Sequence, residues 1–284
     1  MQWSFARSSA AASSAILAVL LAAACTHSGS MAAGGGPSPA ADMSTTPPSP
    51  DPRVGLKSGL WDAGQASWNL RLVSTTKPSD KFLATAEGVN SDLAFTSHYV
   101  IQGNYNGFQI WDVSAPAHVT LRKAYYCPAS QSDVSVYKNL LFVSSEGLSG
   151  RLDCGAEGVK DTVSTARLLG LRIFDITDLD NPKNVGNVQT CRGSHTHTLV
   201  TPPNDPNNVY VYISGSSPIR STSELAGCIT TQPDQDPNSA LFRIEIIKVP
   251  VAHPDQAAVV SSAHIFEGLQ AVKGHGLTDR KSVV

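Results

Sequence analysis

Gly107-Phe-Gln-Ile-Trp-Asp-Val-Ser-Ala-Pro116 and Gly170-Leu-Arg-Ile-Phe-Asp-Ile-Thr-Asp-Leu-Asp-Asn-Pro182 are two copies of one line. Each opens on Gly, alternates apolar and polar residues, reaches an Asp and a hydroxyl residue, and turns at a Pro. Leu241-Phe-Arg-Ile-Glu-Ile-Ile-Lys-Val-Pro250 is a looser third copy. Alternation with period two marks half-buried β-strands.

Working outward, each copy has the same neighbours. Upstream lie Ser91-Asp-Leu-Ala-Phe95, Ser132-Asp-Val-Ser-Val136 and Thr196-His-Thr-Leu-Val200. Each is followed by a second strand, at His98 to Gln102, Leu140 to Ser144 and Val209 to Ser214. Downstream comes a fourth, at Val119 to Tyr125, Val185 to Thr190 and Ala258 to Ile265. The later units are longer because of two insertions, Glu146 to Arg167 and Gly215 to Ser239. Gly274-His275-Gly276 reads as the opening of a fourth copy. No long amphipathic helical pattern interrupts this series, so the expected class is all-β. A repeated four-stranded unit of this kind is the mark of a β-propeller blade, since one such sheet cannot bury both of its faces alone. A β-sandwich also has many short strands, but it predicts no internal repeat.

The lines Gly107 to Pro116 and Gly170 to Pro182 resemble the LVIVD-repeat family of bacterial and archaeal cell-surface propellers. The resemblance runs from about Trp68 to Thr278. It implies a propeller fold and says little about chemistry. It also implies that Trp68-Asn-Leu-Arg-Leu-Val-Ser-Thr75 is an extra strand completing a last blade. Three blades and the start of a fourth are expected, with exposed faces and edges that favour aggregation.

The N-terminal region reads as an address. Arg7 precedes a mostly apolar run from Ala10 to Ala24, too short to span a bilayer and suited to a signal peptide. Leu21-Ala-Ala-Ala-Cys25 resembles a bacterial lipoprotein cleavage box, which implies lipidation of Cys25. The box more often has Leu where Ala22 stands, and ordinary cleavage would leave Cys25 incidental. Residues 26–53 are rich in Gly, Ser, Pro, Ala and Thr and read as a disordered tether. The folding region is expected over 54–278. Asp279-Arg-Lys-Ser-Val-Val284 matches the translated start of a common sequencing adapter, so the natural protein is expected to continue differently after Thr278.

Of 284 residues, 21 are basic and 23 acidic, with no run of like charge, which excludes a nucleic-acid footprint. Apart from Cys25 there are four cysteines, Cys127, Cys154, Cys191 and Cys228. An even number in an exported chain implies disulfides. Cys127 and Cys191 precede first strands, and Cys154 and Cys228 lie in the insertions. Repeat equivalence favours Cys127–Cys154 and Cys191–Cys228, though a pair such as Cys154–Cys191 fits the same face. No C-x-x-C spacing supports a zinc site.

The best candidate for chemistry is Ser194-His-Thr-His-Thr198. On a strand His195 and His197 share a face and can reach one ion. Repeat equivalence sets His197 beside Asp133 and Asp92, and His195 beside Gln131 and Asn90; His275 falls near the same place in the next copy. If first strands are innermost, these side chains ring a channel mouth. His195, His197 and His275 are then candidate ligands for a divalent metal ion, and Asn90, Asp92, Gln131 and Asp133 candidate ligand-binding groups. The plainer reading is structural hydrogen bonding. Asp112 and Asp175 read as turn caps, and Trp111 and Phe174 as packing between sheets. There is no G-x-S-x-G, Walker loop or H-E-x-x-H.

The expected function is therefore a membrane-anchored, non-enzymatic module of the cell envelope, binding a protein, glycan or envelope component through its loops. The alternatives are a metal-dependent oxidase or hydrolase using the His cluster, and a purely structural envelope repeat.

Overall fold

The computed structural model describes residues 43–59, 62–83 and 89–265. Cys25 with the targeting segment, His275 with the fourth-copy opening, and the 279–284 tail lie outside the described residues. The chain divides into two units after Arg71. In the first, the described residues form bends and turns. Ser44 and Asn69 exchange two hydrogen bonds there, at 2.9 and 2.8 Å.

The second unit is all-β. It begins with a single helical turn, α1 (Asp80–Leu83), and then forms three four-stranded antiparallel sheets. Sheet I is β1 (Asn90–Thr96), β2 (Tyr99–Asn104), β3 (Gly107–Asp112) and β4 (Thr120–Tyr126). Sheet II is β5 (Val134–Tyr137), β6 (Leu140–Ser145), β7 (Gly170–Asp175) and β8 (Lys183–Gln189). Sheet III is β9 (Thr196–Val200), β10 (Asn208–Ser214), β11 (Arg243–Pro250) and β12 (Ala258–His264). Each sheet keeps its strands in chain order. The four-stranded repeat read from sequence is thus present three times.

The two faces of sheet II explain why its central strands are apolar almost throughout. Leu141, Val143 and Phe174 pack with Ile101, Phe108 and Ile110 of sheet I. Leu140, Phe142, Leu171 and Ile173 point the other way and pack with Val209, Val211, Ile213 and Ile247 of sheet III. Successive residues of a strand face opposite sides, so a sheet buried on both loses its polar alternation. Phe108 stacks on Tyr125 at 5.0 Å, and Phe174 meets both rings edge-on at 5.2 Å. Phe174 therefore packs between sheets as expected. Trp111 does not: it faces the far side of sheet I, donates to Gln102 Oε1 at 3.1 Å, and borders a cavity of about 240 Å³ beneath Ser74, Thr76 and Pro78.

Two local features recur. Gly107 and Gly170 open β3 and β7 at φ +134 and +145, and a Cβ on either would collide with the carbonyl oxygen of Tyr125 or Val188. Only glycine accepts both conditions. The last strands β4, β8 and β12 each carry one extra residue, Arg122, Val185 and Val260, opposite the same point of the third strand. Asp112 Oδ1 accepts from the Ser114 N–H at 2.9 Å and Asp175 Oδ1 from that of Thr177 at 2.8 Å, holding the two turns as expected.

The expected strand Trp68 to Thr75 is not formed. Leu70 is 80% exposed, and the backbone finds no ladder partner among the described residues. Instead, the side chains of Ser74 and Thr76 donate to the carbonyls of Pro116 and Val119, at 2.7 and 3.3 Å. A strand needs a neighbour's backbone, and these side-chain anchors hold the segment without one.

Candidate functional site

The first strands of the three sheets meet. Ser91 of β1 donates to the Ser132 carbonyl at 3.4 Å, and the His197 N–H of β9 donates to Asp133 Oδ2 at 2.9 Å. The Asp92 carboxyl adjoins that of Asp133. Asp92, Asp133 and His197, aligned from the repeat, are thus brought together. Gln131 is half-buried in the loop before β5. Asn90 stands at the start of β1, where its side-chain oxygen accepts from Asn104 Nδ2 at 2.8 Å.

His197 is enclosed, with its side chain 0% exposed. Its Nε2 is 2.6 Å from Ser135 Oγ, and its Nδ1 is 2.9 Å from Ser144 Oγ. Ser144 Oγ is 2.8 Å from Ser194 Oγ, which donates to the Thr196 carbonyl at 3.1 Å. That last bond fixes every proton. Ser194 has given its hydrogen away, so it accepts from Ser144; Ser144 then accepts from Nδ1–H, and Nε2 accepts from Ser135. The ring is neutral and fully satisfied, as a buried imidazole must be. Burial pushes its pKa down to about 4. Asp133 moves oppositely, up to about 6, because burial and the adjoining Asp92 outweigh the His197 N–H it accepts.

His195 lies just outside β9 and faces different partners. Its Nδ1 meets the Glu146 carboxylate, and Ser216 Oγ donates to Glu146 Oε2 at 2.7 Å. The two histidines therefore face different partners, although the strand periodicity set them on one face. Both nitrogens of His197 are occupied by serines, and among the described residues no group of three or more His, Cys, Asp or Glu side chains is placed to hold a metal. Ser135, His197 and Asp133 occur in the order of a nucleophile triad. Here Nδ1 serves Ser144 at 2.9 Å rather than Asp133 at 3.4 Å, and a ring with a pKa near 4 is a weak base.

At the same end of the sheets lie both insertions. Disulfides join Cys127 to Cys154 and Cys191 to Cys228, the repeated pairing. Each ties the loop before a first strand to the insertion. The insertions are then joined to each other by a buried ion triad. Arg167 and Arg220 flank Glu224, whose side chain is 0% exposed. Arg220 Nε reaches Glu224 Oε2 at 2.9 Å and its Nη1 reaches Gln189 Oε1 at 2.6 Å. Arg167 also donates to the Leu148 carbonyl at 2.7 Å, and the Ser164 N–H donates to Glu224 Oε1 at 2.6 Å. The paired charges with filled hydrogen bonds make one rigid platform of two long loops. Sequence reasoning missed Glu146, Arg167, Ser216, Arg220 and Glu224 because the insertions lie outside the repeat.

No protein-family model matches the chain, and no curated protein matches it in sequence.

Proposed function

We propose that this chain is a binding module of the cell envelope, of the LVIVD-type propeller class, that engages an envelope protein or glycan through its insertion platform. One observation carries the reading: two disulfide-stapled insertions fixed to one another by Arg167, Glu224 and Arg220 at one end of the sheets. Loops held rigid on a scaffold lose little entropy on binding, which is where recognition surfaces are built. The disulfides fit maturation in an oxidising, exported setting. Among the described residues no helix is long and apolar enough to cross a membrane. The propeller reading rests on three consecutive four-stranded sheets that reuse the same packing faces. A lipid on Cys25 is the proposed anchor.

The test is binding of the immobilised chain to fractionated envelope protein and glycan. Replacing residues 215–239 by a short turn, together with Cys191→Ser, is expected to abolish binding. Retention of the β-sheet circular dichroism would show that the sheets survive. Undiminished binding by that variant would move the recognition surface elsewhere.

A further inference from the structure

The face of sheet I that looks away from sheet II carries a site outside the platform. Alternation along the strands sends Ala94, Ile101 and Ile110 toward sheet II. Leu93, Val100, Gln102 and Trp111 therefore look the other way, where they wall the cavity of about 240 Å³. Ser74 and Thr76 border it from the segment before α1, and Asn90 from the start of β1.

The bonds already formed fix the protons at this cavity. The Trp111 indole N–H donates to Gln102 Oε1 at 3.1 Å, and an indole nitrogen only donates, so Gln102 keeps Nε2 as a free donor. Asn104 Oδ1 accepts from the Asn106 N–H at 2.9 Å, so it is Asn104 Nδ2 that donates to Asn90 Oδ1 at 2.8 Å. Asn90 likewise keeps Nδ2. The hydroxyls run the opposite way. Ser74 and Thr76 place their protons on the carbonyls of Pro116 and Val119 and keep only lone pairs. The cavity thus offers two amide donors and two hydroxyl acceptors beside the apolar side chains of Leu93, Val100 and Val113. None of the described residues that line it is charged.

A ligand that fits must be neutral, since a charge placed here would meet no counter-charge. It must both donate and accept through closely spaced groups, and present an apolar side. A hydroxyl donates and accepts through one oxygen, and a pyranose sets several hydroxyls around a face of C–H groups. The volume lies below the roughly 300–1,000 Å³ of clefts for drug-sized ligands, which suits one ring rather than a chain. We propose that this cavity binds one neutral sugar ring, free or at the end of a glycan. Asn90 and Gln102 donate to its hydroxyl oxygens, and Ser74 and Thr76 accept from its hydroxyls. Trp111 is a positioning residue, since its N–H holds the Gln102 amide in the donating orientation. None of the lining residues belongs to either insertion, so this site and the platform fail or hold independently.

The probes are glucose, galactose, mannose and N-acetylglucosamine, titrated into the full chain and followed by saturation-transfer NMR. At least one is expected to bind with a Kd of about 1 mM. Glucuronate and glucosamine, which carry a charge, are expected to bind roughly tenfold more weakly or not at all. Equal binding of the methyl glycoside assigns the ring to the end of a glycan, and its loss assigns a free sugar. Gln102→Ala and Asn90→Ala are each expected to weaken binding by roughly five- to tenfold. Trp111→Phe is expected to weaken binding by roughly threefold in the parent chain and not at all in Gln102→Ala, because it acts through that amide. No binding by any probe at about 50 mM would overturn the proposal. Equal binding of the charged sugars would do so as well, as would undiminished binding by the amide variants. Asn90 is exposed, so Asn90→Ala still decides should Gln102→Ala not fold.

Discussion

Two polar networks lie near each other at the heart of this protein, and they are built on opposite principles. The network around His197 joins first strands of the sheets and is neutral along its length, each serine passing one proton to the next. The platform network is ionic, with one carboxylate between two guanidiniums. The neutral relay lies in the regular, repeated part of the fold, where strand spacing sets every distance. The ionic triad lies in the irregular insertions, where charge attraction between Arg167, Arg220 and Glu224 supplies the order that backbone ladders do not. Burying polar groups in a scaffold thus calls for neutrality when geometry is fixed, and for charge when geometry has to be imposed.

The largest effect that sharpens this contrast is expected from Glu224→Gln. It leaves two buried guanidiniums facing each other without a counter-charge, and stability at neutral pH should drop by about 3–5 kcal/mol in chemical denaturation. A loss no larger than that of a serine in the relay would erase the distinction.

Next comes pH. His197 is held neutral to about pH 4 in the folded chain, against an ordinary 6.5, so its contribution is present above pH 6.5 and is lost as pH falls toward 4. Asp133 keeps its proton up to about pH 6 when folded, against an ordinary 3.8, so its contribution is present at low pH and is lost as pH rises through 6. Between pH 4 and 6 the unfolded chain gains a proton at His197 while the folded chain holds one at Asp133, and the two slopes cancel. Asp133→Asn removes the cancellation. Its stability should fall by about 3 kcal/mol from pH 6.5 to 4, at about 1.36 kcal/mol per pH unit, beyond any change in the parent chain. A variant whose urea midpoints track those of the parent across that window would show that the two groups are not opposed.

A smaller loss, about 1–3 kcal/mol, is expected from Ser135→Ala, which takes the donor from Nε2 and leaves a buried acceptor bare. Ser135→Thr, which keeps the hydroxyl, should recover part of it. The smallest effect belongs to His195→Ala. That ring is 39% exposed at the rim between the networks, and its removal should change stability by about 0.5 kcal/mol or less. Thermal melts compared side by side would reveal whether the rim histidine belongs to either network.

Much of the fold was legible because the strands repeat. Gly107 and Gly170 mark the same bend, Asp112 and Asp175 the same turn, and the repeat register brought Asp92, Asp133 and His197 to one place. Cysteine positions within the unit favoured the pairing that formed. What was not legible depends on direction and distance. Strand periodicity set His195 and His197 on one face, but β9 begins at Thr196, so His195 lies outside the alternation that would have aimed it. Ser135 and Ser144 look like any strand serines until a ring is set between them. Arg167 and Glu224 are 57 residues apart in segments without a pattern, and nothing local announces their meeting. Trp68 to Thr75 carries the composition of a strand, yet among the described residues its backbone has no ladder partner.

The extra residue in each outer strand has a consequence for life at high density. β4, β8 and β12 are the rims where a sheet offers unpaired backbone groups to any passing strand. Arg122, Val185 and Val260 each put a kink there, so the row of donors and acceptors is broken at the same height on all three rims. A neighbouring copy cannot zip onto an edge whose spacing is interrupted midway. Crowded side by side, copies meeting at these three edges would find the ladder broken, and that hindrance to fusion is written into three single residues.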